Sequence, residues 1–340
     1  MSAAVLERVA CAVCGSSSAR PARIRAPRDD HARTLKLPGG RSLWVVCEEC
    51  GLVYQSPRPD LAAVGDLYAG GDYHEIRGGV PEHYVQYSLR RSRGALDWAG
   101  KDARLHDQPG RALDIGCGVG GAMVDLRGRG WQVVGVEPDP MLSEVARTSF
   151  GLEVRNGFFD STKFSDDDDF DLVYSCHVWE HLAAPRETCS AAHELLATKR
   201  GHLLIVVPTF RRARTLAWSC FTAPHTYMFT EVSLGNLLEA TGFDVMSYRY
   251  AAGADTELWM LARARPAPAV SGHERLRRES AGAVQRELVT VPLRAPLGLP
   301  GRLGDHMRTL MADPSDFKAR INRWSRSRVA RVRSTLRRDV

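Results

Sequence analysis

Apolar and polar positions form two alternating kinds of segment along the middle of the chain. Short apolar runs rich in β-branched residues indicate strands, and they occur at Arg111–Ile115, Gln132–Val136, Leu152–Val154, Phe170–Ser175 and His202–Val207. The stretches between them carry apolar residues at helical spacing, most clearly at Met141–Phe150 and Cys189–Thr198. Strands that alternate with helices predict a parallel sheet with helices on both faces.

The flanks of this region extend the pattern. Phe243–Tyr250 and Glu257–Arg263 read as two more strands joined by a short turn, which predicts a hairpin and an antiparallel strand in the sheet. Upstream, residues 59–108 look helical, and Glu82–Lys101 is a candidate for one helix in which Gly94 is the weak point.

Composition divides the chain into four regions. We predict a metal-binding module at residues 1–58, a helical connector or lid at 59–108, the α/β domain at 109–264 and a basic, helical extension at 265–340. The apolar fraction of 44% and the charged fraction of 25% are ordinary for a globular protein.

We find no apolar run near the ~20 residues that span a membrane and no signal peptide, so a cytoplasmic protein with reduced thiols is expected.

The net charge of +6 is unevenly distributed. Residues 263–340 contain 18 basic and 7 acidic residues, so the basic character belongs to the C-terminal extension. Such a segment suits an anionic partner, for example RNA, an anionic membrane surface or a lipid-linked glycan, which would make the protein peripheral to the membrane. A solvated basic helix is the alternative. The sequence gives no oligomeric state.

A glycine-rich turn follows the first predicted strand of the α/β domain. Gly116-Cys117-Gly118-Val119-Gly120 would let the backbone turn sharply and approach a ligand. Dinucleotide-binding domains use similar glycines. However, Asp114 would repel a pyrophosphate and attract the ammonium group of a sulfonium cofactor, and Glu137, at the end of the next strand, suits two ribose hydroxyls.

Four of the eight cysteines stand in two identical pairs. Cys11 and Cys14, and then Cys47 and Cys50, are each followed by glycine. Four thiolates on two such turns meet the tetrahedral requirement of Zn²⁺ and leave no open position, which indicates a structural ion. The spacer has room for a hairpin of Arg23–Arg25 with Ser42–Val46. Two redox pairs are the alternative.

Four segments of the α/β region, ALDIGCGVG, VVGVEPDP, FDLVYSCHVWEHLAAP and GHLLIVVP, carry a family resemblance. They resemble the class I S-adenosylmethionine-dependent methyltransferases over roughly residues 109–262, which implies an α/β, Rossmann-like fold with a mostly parallel seven-stranded sheet. By that resemblance S-adenosylmethionine is the cofactor. Its methionine moiety would lie against Asp114, Gly116, Cys117, Gly118 and His177, its ribose on Glu137, and its adenine near Phe158 and Asp160.

The segment CEECGLVYQSPRP resembles the N-terminal domain of bacterial methyltransferases in sugar, polysaccharide and natural-product pathways. The deoxysugar C-methyltransferases are relatives with a four-cysteine domain. This resemblance implies bound zinc and a small-molecule or sugar acceptor, but it leaves the acceptor's identity open.

Two histidines are candidate catalytic groups, because they follow the fourth and fifth strands at the carboxyl end of the sheet. His181 lies in the EHL turn, and His225 lies in a loop, Arg211–His225, that could cap the site. The resembling sugar C-methyltransferases have Glu before this second histidine, whereas this chain has Pro224. We therefore expect a hydroxyl acceptor with His225 as the base.

Three other functions remain as alternatives: a sugar C-methyltransferase, an RNA methyltransferase, and a non-catalytic cofactor-binding scaffold. Nucleic acid is the less expected partner, because acidic Glu48 and Glu49 lie inside one cysteine pair. Ser175-Cys176-His177-Val178 stands where adenine and glutamine amino-methyltransferases carry Asp/Asn-Pro-Pro-Tyr/Phe, so those targets are not expected.

Overall fold

The computed structural model describes residues 6–24, 26, 30–60, 64–65, 80–165, 168–212, 218–251, 257–266 and 276–290. All of these residues belong to one compact unit, which lies within residues 1–292. Within the extension predicted to be helical, Ala281–Thr290 is a helix, and residues 291–340 lie outside the described residues. None of the described helices is long and apolar enough to cross a membrane.

Strands and helices are numbered here in chain order within the described residues. The strands are β1 Leu6–Glu7, β2 Ala19–Pro21, β3 Trp44–Cys47, β4 Val53–Gln55, β5 Arg58–Pro59, β6 Arg111–Ile115, β7 Gln132–Glu137, β8 Glu153–Asn156, β9 Leu172–Cys176, β10 His202–Pro208, β11 Tyr227–Met228, β12 Phe243–Ala251 and β13 Glu257–Ala264. The helices are α1 Asp30–Thr34, α2 Glu82–Arg91, α3 Arg93–Ala103, α4 Gly121–Gly128, α5 Pro140–Phe150, α6 Pro185–Ala197, α7 Glu231–Ala240 and α8 Ala281–Thr290.

A seven-stranded sheet dominates the fold, in the order β12-β13-β10-β9-β6-β7-β8. The five strands from β6 to β10 run parallel, whereas β13 is antiparallel to both β10 and β12. Strands β9 and β10 are buried along nearly their whole length, which explains their continuous apolar sequence. The predicted mostly parallel seven-stranded, Rossmann-like sheet is confirmed, including the antiparallel hairpin.

Local signals set the ends of the helices that flank this sheet. In α5, the side chain of Asp139 accepts hydrogen bonds from the N–H groups of Met141 and Leu142, and Gly151 ends the helix in the left-handed region. The expected single helix at Glu82–Lys101 is instead two helices, α2 and α3, that meet at Ser92. A buried serine close to Gly94 is a common cause of such a break.

The N-terminal region forms a second, four-stranded antiparallel sheet in the order β11-β4-β3-β2. The predicted hairpin exists, but its first strand was placed too late: Ala19 pairs with Cys47 and Pro21 with Val45. The backbone turns into the left-handed region at Arg23, which ends pairing before the predicted strand begins. The edge strand β11 comes from residues beyond β10, so the loop after β10 completes the sheet of the cysteine module.

Candidate active site

The glycine turn directly follows β6, at the carboxyl end of the sheet. Gly116, Gly118 and Gly120 have φ of 72°, 56° and 83°, a region that side-chain-bearing residues rarely adopt. A Cβ on Gly116 would overlap the side chain of Val178. The turn is held by the neighbouring strand, because the N–H of Gly116 donates to the carbonyl of Val136 at 2.8 Å. The backbone of Gly116 and Gly118 is thereby exposed to one cavity.

Two buried carboxylates lie beside this turn. Asp114 is 2% exposed and Glu137 is 6% exposed. Glu137 accepts hydrogen bonds of 2.8 Å from the backbone N–H groups of Gly118 and Asp139. Burial, and then the charge of Glu137, raises the pKa of Asp114 to about 8, and burial raises the pKa of Glu137 to about 7. A ligand that brings a cationic group and hydroxyl donors fits this pair, because it would stabilise the charged forms.

The remaining residues expected at the cofactor divide into two groups. Cys117 and Phe158 line the same cavity, and burial raises the pKa of the Cys117 thiol well above its usual range, so it stays protonated. Phe158 is 52% exposed, which leaves its ring available for stacking. Asp160 is not among the cavity residues: its carboxylate accepts from the N–H of Thr162 at 3.0 Å and begins a short 3₁₀ helix. The structure therefore does not bring Asp160 to the site.

His177 follows β9 and lines the same cavity. Its Nδ1 lies 3.1 Å from Oε1 of Glu180, and its Nε2 lies 2.9 Å from Oε1 of Glu257. Burial and the charge of Arg91 lower the pKa of His177, but the two glutamates outweigh them and raise it overall. The backbone of His177 is left-handed, with φ of 56°, and strain of this kind on a non-glycine residue is common at functional sites.

The two candidate catalytic histidines form a pair. The ring centroids of His181 and His225 are 4.5 Å apart in an edge-to-face arrangement. Nδ1 of His181 lies 3.1 Å from the carbonyl of Pro224, and Nδ1 of His225 lies 3.1 Å from the carbonyl of Cys220. A carbonyl only accepts, so each Nδ1 carries the proton and each neutral ring has its lone pair on Nε2. Burial lowers both pKa values, that of His181 to about 3.

Glu180 is a buried carboxylate beside this pair, with 1% of the residue exposed. Its Oε1 lies 3.7 Å from Nε2 of His181, and its Oε2 has no hydrogen-bond partner among the described residues. Burial raises its pKa, but the charge of His177, which lies 3.1 Å away, is the largest opposing effect, and the pKa falls to about 2. The carboxylate is thus ionised, and it lies beside His177 as well as beside the histidine pair.

The cysteine module positions the loop that carries His225. The backbone N–H of Gln55 donates to the carbonyl of Thr226 at 2.9 Å. Its side-chain amide donates to the carbonyls of Thr222, Ala223 and His225. Arg58, from β5, donates to the hydroxyl of Tyr227 at 3.1 Å. The N-terminal region is therefore part of the site's scaffold.

The four paired cysteines converge in space. Sγ of Cys11 lies 3.4 Å from Sγ of Cys50, and Sγ of Cys14 lies 3.5 Å from Sγ of Cys47. All four sulfur atoms lie within 4.8 Å of one another. Four sulfurs at about 2.3 Å from one Zn²⁺ would be separated by a little under 4 Å. The cluster fits a tetrahedral ion.

A single cavity of about 680 Å³ joins the two ends of the site. At one end it is lined by Asp114, Glu137 and Phe158, and at the other by His181 and His225. Helix α2 and the N-terminal region close its sides; their contributions are Tyr84, Tyr87, Arg91, Pro59 and Val64. Its size is in the range of pockets that bury small ligands.

Sequence reasoning missed four residues of this site. The sequence placed Glu180 next to His181 but did not indicate that its carboxylate is buried. Arg91 and Glu257 are 166 positions apart and meet through an ion pair of 3.0 Å. Gln55 lies in a short strand of the cysteine module. No local motif indicates any of these contacts, because all of them depend on how distant segments pack.

Residues 82–248, just under half of the chain, match a family model described as a methyltransferase domain. The match covers α2, the glycine turn, both carboxylates and both histidines of the pair. The comparison with curated proteins gives no significant match.

Among solved structures, the chain is similar to the 1,6-didemethyltoxoflavin-N1-methyltransferase of Burkholderia thailandensis, at 19% identity over 63% of this chain and 96% of that one, with a TM-score of 0.47. It is also similar to the magnesium protoporphyrin IX methyltransferase of Synechocystis PCC 6803, at 20% identity over 60% and 100%, with a TM-score of 0.43. The PH0226 protein of Pyrococcus horikoshii OT3 has 16% identity over 57% and 99%, with a TM-score of 0.45.

Proposed function

We propose that this chain, whose residues 82–248 match a methyltransferase-domain model, uses S-adenosylmethionine to methylate a hydroxyl oxygen of a small-molecule or sugar acceptor. One observation carries the proposal: a single cavity runs from the carboxylates Asp114 and Glu137 to the neutral, buried histidine pair. A methyl donor at the first end and a hydroxyl at the second would share this cavity.

The cofactor would occupy the end of the cavity at the glycine turn. Asp114 would pair with its ammonium group, and Glu137 would accept hydrogen bonds from its ribose hydroxyls. Phe158 would stack on its adenine, and the backbone of Gly116, Cys117 and Gly118 would follow its methionine part, with His177 nearby. The bound cofactor supplies an electrophilic methyl group on a positively charged sulfur.

His225 would act as the base. Its Nδ1–H is held by the carbonyl of Cys220, so the lone pair on Nε2 is available for the proton of the acceptor hydroxyl. As that O–H bond breaks, a new O–CH₃ bond forms and the S–CH₃ bond breaks, with its electron pair kept by sulfur. His181 would hold the position of His225 through its edge-to-face contact.

The lining of the cavity favours this acceptor over RNA. Arg91 is the cationic side chain that lines it within the described residues, and it is paired with Glu257. A polynucleotide would need several basic contacts to its phosphates. Carbon methylation is less favoured, because Pro224 offers only a backbone carbonyl to His181 at the position where the sugar C-methyltransferases carry a carboxylate.

We further propose that Cys11, Cys14, Cys47 and Cys50 bind one structural Zn²⁺. The convergence of their sulfur atoms supports this reading, and so does the absence of an open position among four thiolates. The ion would stabilise β3 and β4, and through Gln55 it would fix the loop of His225. A glycan or natural-product pathway in the cytoplasm is the setting that the N-terminal resemblance favours.

Product analysis tests the reaction. The full chain would be incubated with ¹³C-methyl-labelled cofactor and a panel of sugars and phenols, and the product examined by mass spectrometry and carbon NMR. A new methyl group bonded to oxygen is the expected result. A label on carbon or nitrogen of these compounds, or transfer to an RNA panel alone, would contradict the proposal.

His225→Ala tests the base. We expect turnover to fall by about 10²–10⁴-fold, while S-adenosylhomocysteine binding in calorimetry stays unchanged. The matched control is His202→Ala, which removes a histidine at the start of β10 that does not line the cavity. Full turnover in the His225→Ala variant would show that His225 is not the base.

A further inference from the structure

We propose that Glu180, His181 and His225 together bind one divalent metal ion at the acceptor end of the cavity. One ligand atom from each of the three residues lies within 4.8 Å of the others. Ligand atoms at about 2.0–2.2 Å from one ion are at most about 4.4 Å apart, so the three side chains would close slightly around the ion. Two imidazoles and one carboxylate are a ligand set that holds catalytic divalent metals in other proteins.

The buried carboxylate is an independent indication of a missing cation. Glu180 is 1% exposed, and its Oε2 has no hydrogen-bond partner among the described residues. Its other oxygen lies 3.1 Å from His177, a histidine already shared with Glu257. A buried carboxylate oxygen without a partner is costly, and an ion between Glu180 and the histidine pair would remove that cost.

Both histidines are oriented as metal-binding histidines usually are. His181 and His225 each direct Nδ1 at a backbone carbonyl, those of Pro224 and Cys220, at 3.1 Å. In metal-binding histidines, a bond of this kind from one ring nitrogen fixes the ring while the other nitrogen coordinates the ion. Glu180 and His181 are adjacent in the 3₁₀ helix Trp179–His181, so only the loop of His225 has to be placed by tertiary contacts.

The ligand count fits a catalytic rather than a structural ion. Three protein ligands leave at least one position open, and His181 and His225 both line the cavity. The open position would therefore face the acceptor. An acceptor with two adjacent oxygen atoms, such as a vicinal diol, could occupy it by chelation.

This inference deepens the proposed function and rests on it for the role of the ion. A hydroxyl bound to a divalent cation loses its proton to water at lower pH than a free hydroxyl. This inference replaces the base of the proposed function: Nε2 of His225 would hold the ion, and the proton of the acceptor would pass to water. Oxygen–methyl bond formation and sulfur–methyl bond cleavage would proceed as written above.

Binding of Mn²⁺, followed by electron paramagnetic resonance, tests the site directly. Mn²⁺ favours oxygen ligands and does not compete with Zn²⁺ for four thiolates, so the full chain loaded with one zinc ion, and no more, can be titrated. We expect about one Mn²⁺ per chain to bind saturably. The affinity should fall at least about tenfold in Glu180→Gln and in His225→Asn. His202→Asn, away from the cavity, should bind as the unaltered chain does.

Circular dichroism and S-adenosylhomocysteine binding would verify that the variants are folded. Absence of saturable Mn²⁺ binding in the unaltered chain would overturn the inference, and so would equal binding by a folded Glu180→Gln variant. Metal binding without oxygen methylation would leave the site in place and contradict the proposed function. Oxygen methylation without metal binding would contradict only the site.

Discussion

The backbone N–H of Gln55 donates to the carbonyl of Thr226 at 2.9 Å, and through this bond a strand of the cysteine module joins the loop after β10. Thr226 in turn donates its own N–H and hydroxyl to the carbonyl of Glu180, the hydroxyl at 2.9 Å. One chain of hydrogen bonds therefore runs from the N-terminal module to both segments that carry the histidine pair.

Gln55→Ala should loosen the histidine loop by removing the side-chain link to the module, while the backbone bond to Thr226 stays in place. The variant removes the amide that donates to the carbonyls of Thr222, Ala223 and His225, and a lost hydrogen bond costs about 0.5–1.5 kcal/mol. We expect lower stability in urea unfolding and lower turnover, with unchanged affinity for S-adenosylhomocysteine. The matched control is Gln86→Ala, which removes an exposed side chain of α2 that donates to Glu82. Equal turnover in both variants would argue against a positioning role for Gln55.

Asp114→Asn should weaken cofactor binding. The unliganded variant should be at least as stable as the unaltered chain. An asparagine keeps the shape but cannot pair with an ammonium group, and a bond to a charged group is worth about 1.5–3 kcal/mol, or roughly 10–100-fold in affinity. Burial already penalises the charge of Asp114, so its removal should not lower the melting temperature. Calorimetry with S-adenosylhomocysteine measures the first effect, and Asp102→Asn on α3 is the control.

The stability of the unliganded protein should fall as pH rises. Burial raises the pKa of Asp114 to about 8 and that of Glu137 to about 7 in the folded chain, whereas unfolded carboxyls titrate near pH 4. A raised folded pKa contributes stability that is full below the unfolded value and is lost as pH passes the folded value.

Ligand should reverse that loss, because a cationic group favours the ionised carboxylates. The rise in melting temperature caused by S-adenosylhomocysteine should therefore be larger at about pH 8 than at about pH 6. Differential scanning fluorimetry measures it, and Asp114→Asn should show a weaker dependence on pH. A ligand-induced rise that is the same at both pH values would mean that these carboxylates do not meet the cation.

Metal analysis should find about one zinc ion per chain, and less than about 0.2 would contradict the zinc proposal. Cys47→Ser should lose the ion and also lower turnover, because Cys47 ends β3, which pairs with β4 and thus with Gln55. Cys189→Ser is the control, since this buried cysteine in α6 lies outside the cluster and should keep the zinc content.

The sequence predicted the central sheet closely, because strands buried on both faces have continuous apolar runs. Strand β6 has the predicted bounds, and the ends of β7, β9 and β10 differ by one or two residues. The predicted start of the first strand in the N-terminal hairpin was wrong. The sequence does not reveal the positive φ of Arg23, because this residue is not a glycine. The break at Ser92 had a local signal in Gly94, but the burial of the Ser92 side chain was not visible in the sequence.

The sequence alone determined the fold class, the glycine turn with Asp114 and Glu137, and the two cysteine pairs. All of these arise from residues that are close along the chain, or from spacing that one turn imposes. Only the tertiary structure brought His181 and His225 to 4.5 Å, left Glu180 buried beside them and kept Asp160 outside the cavity. The reason is physical: a buried charge such as Glu180 or a shared donor such as Gln55 has its effect only when segments that are distant along the chain exclude water together.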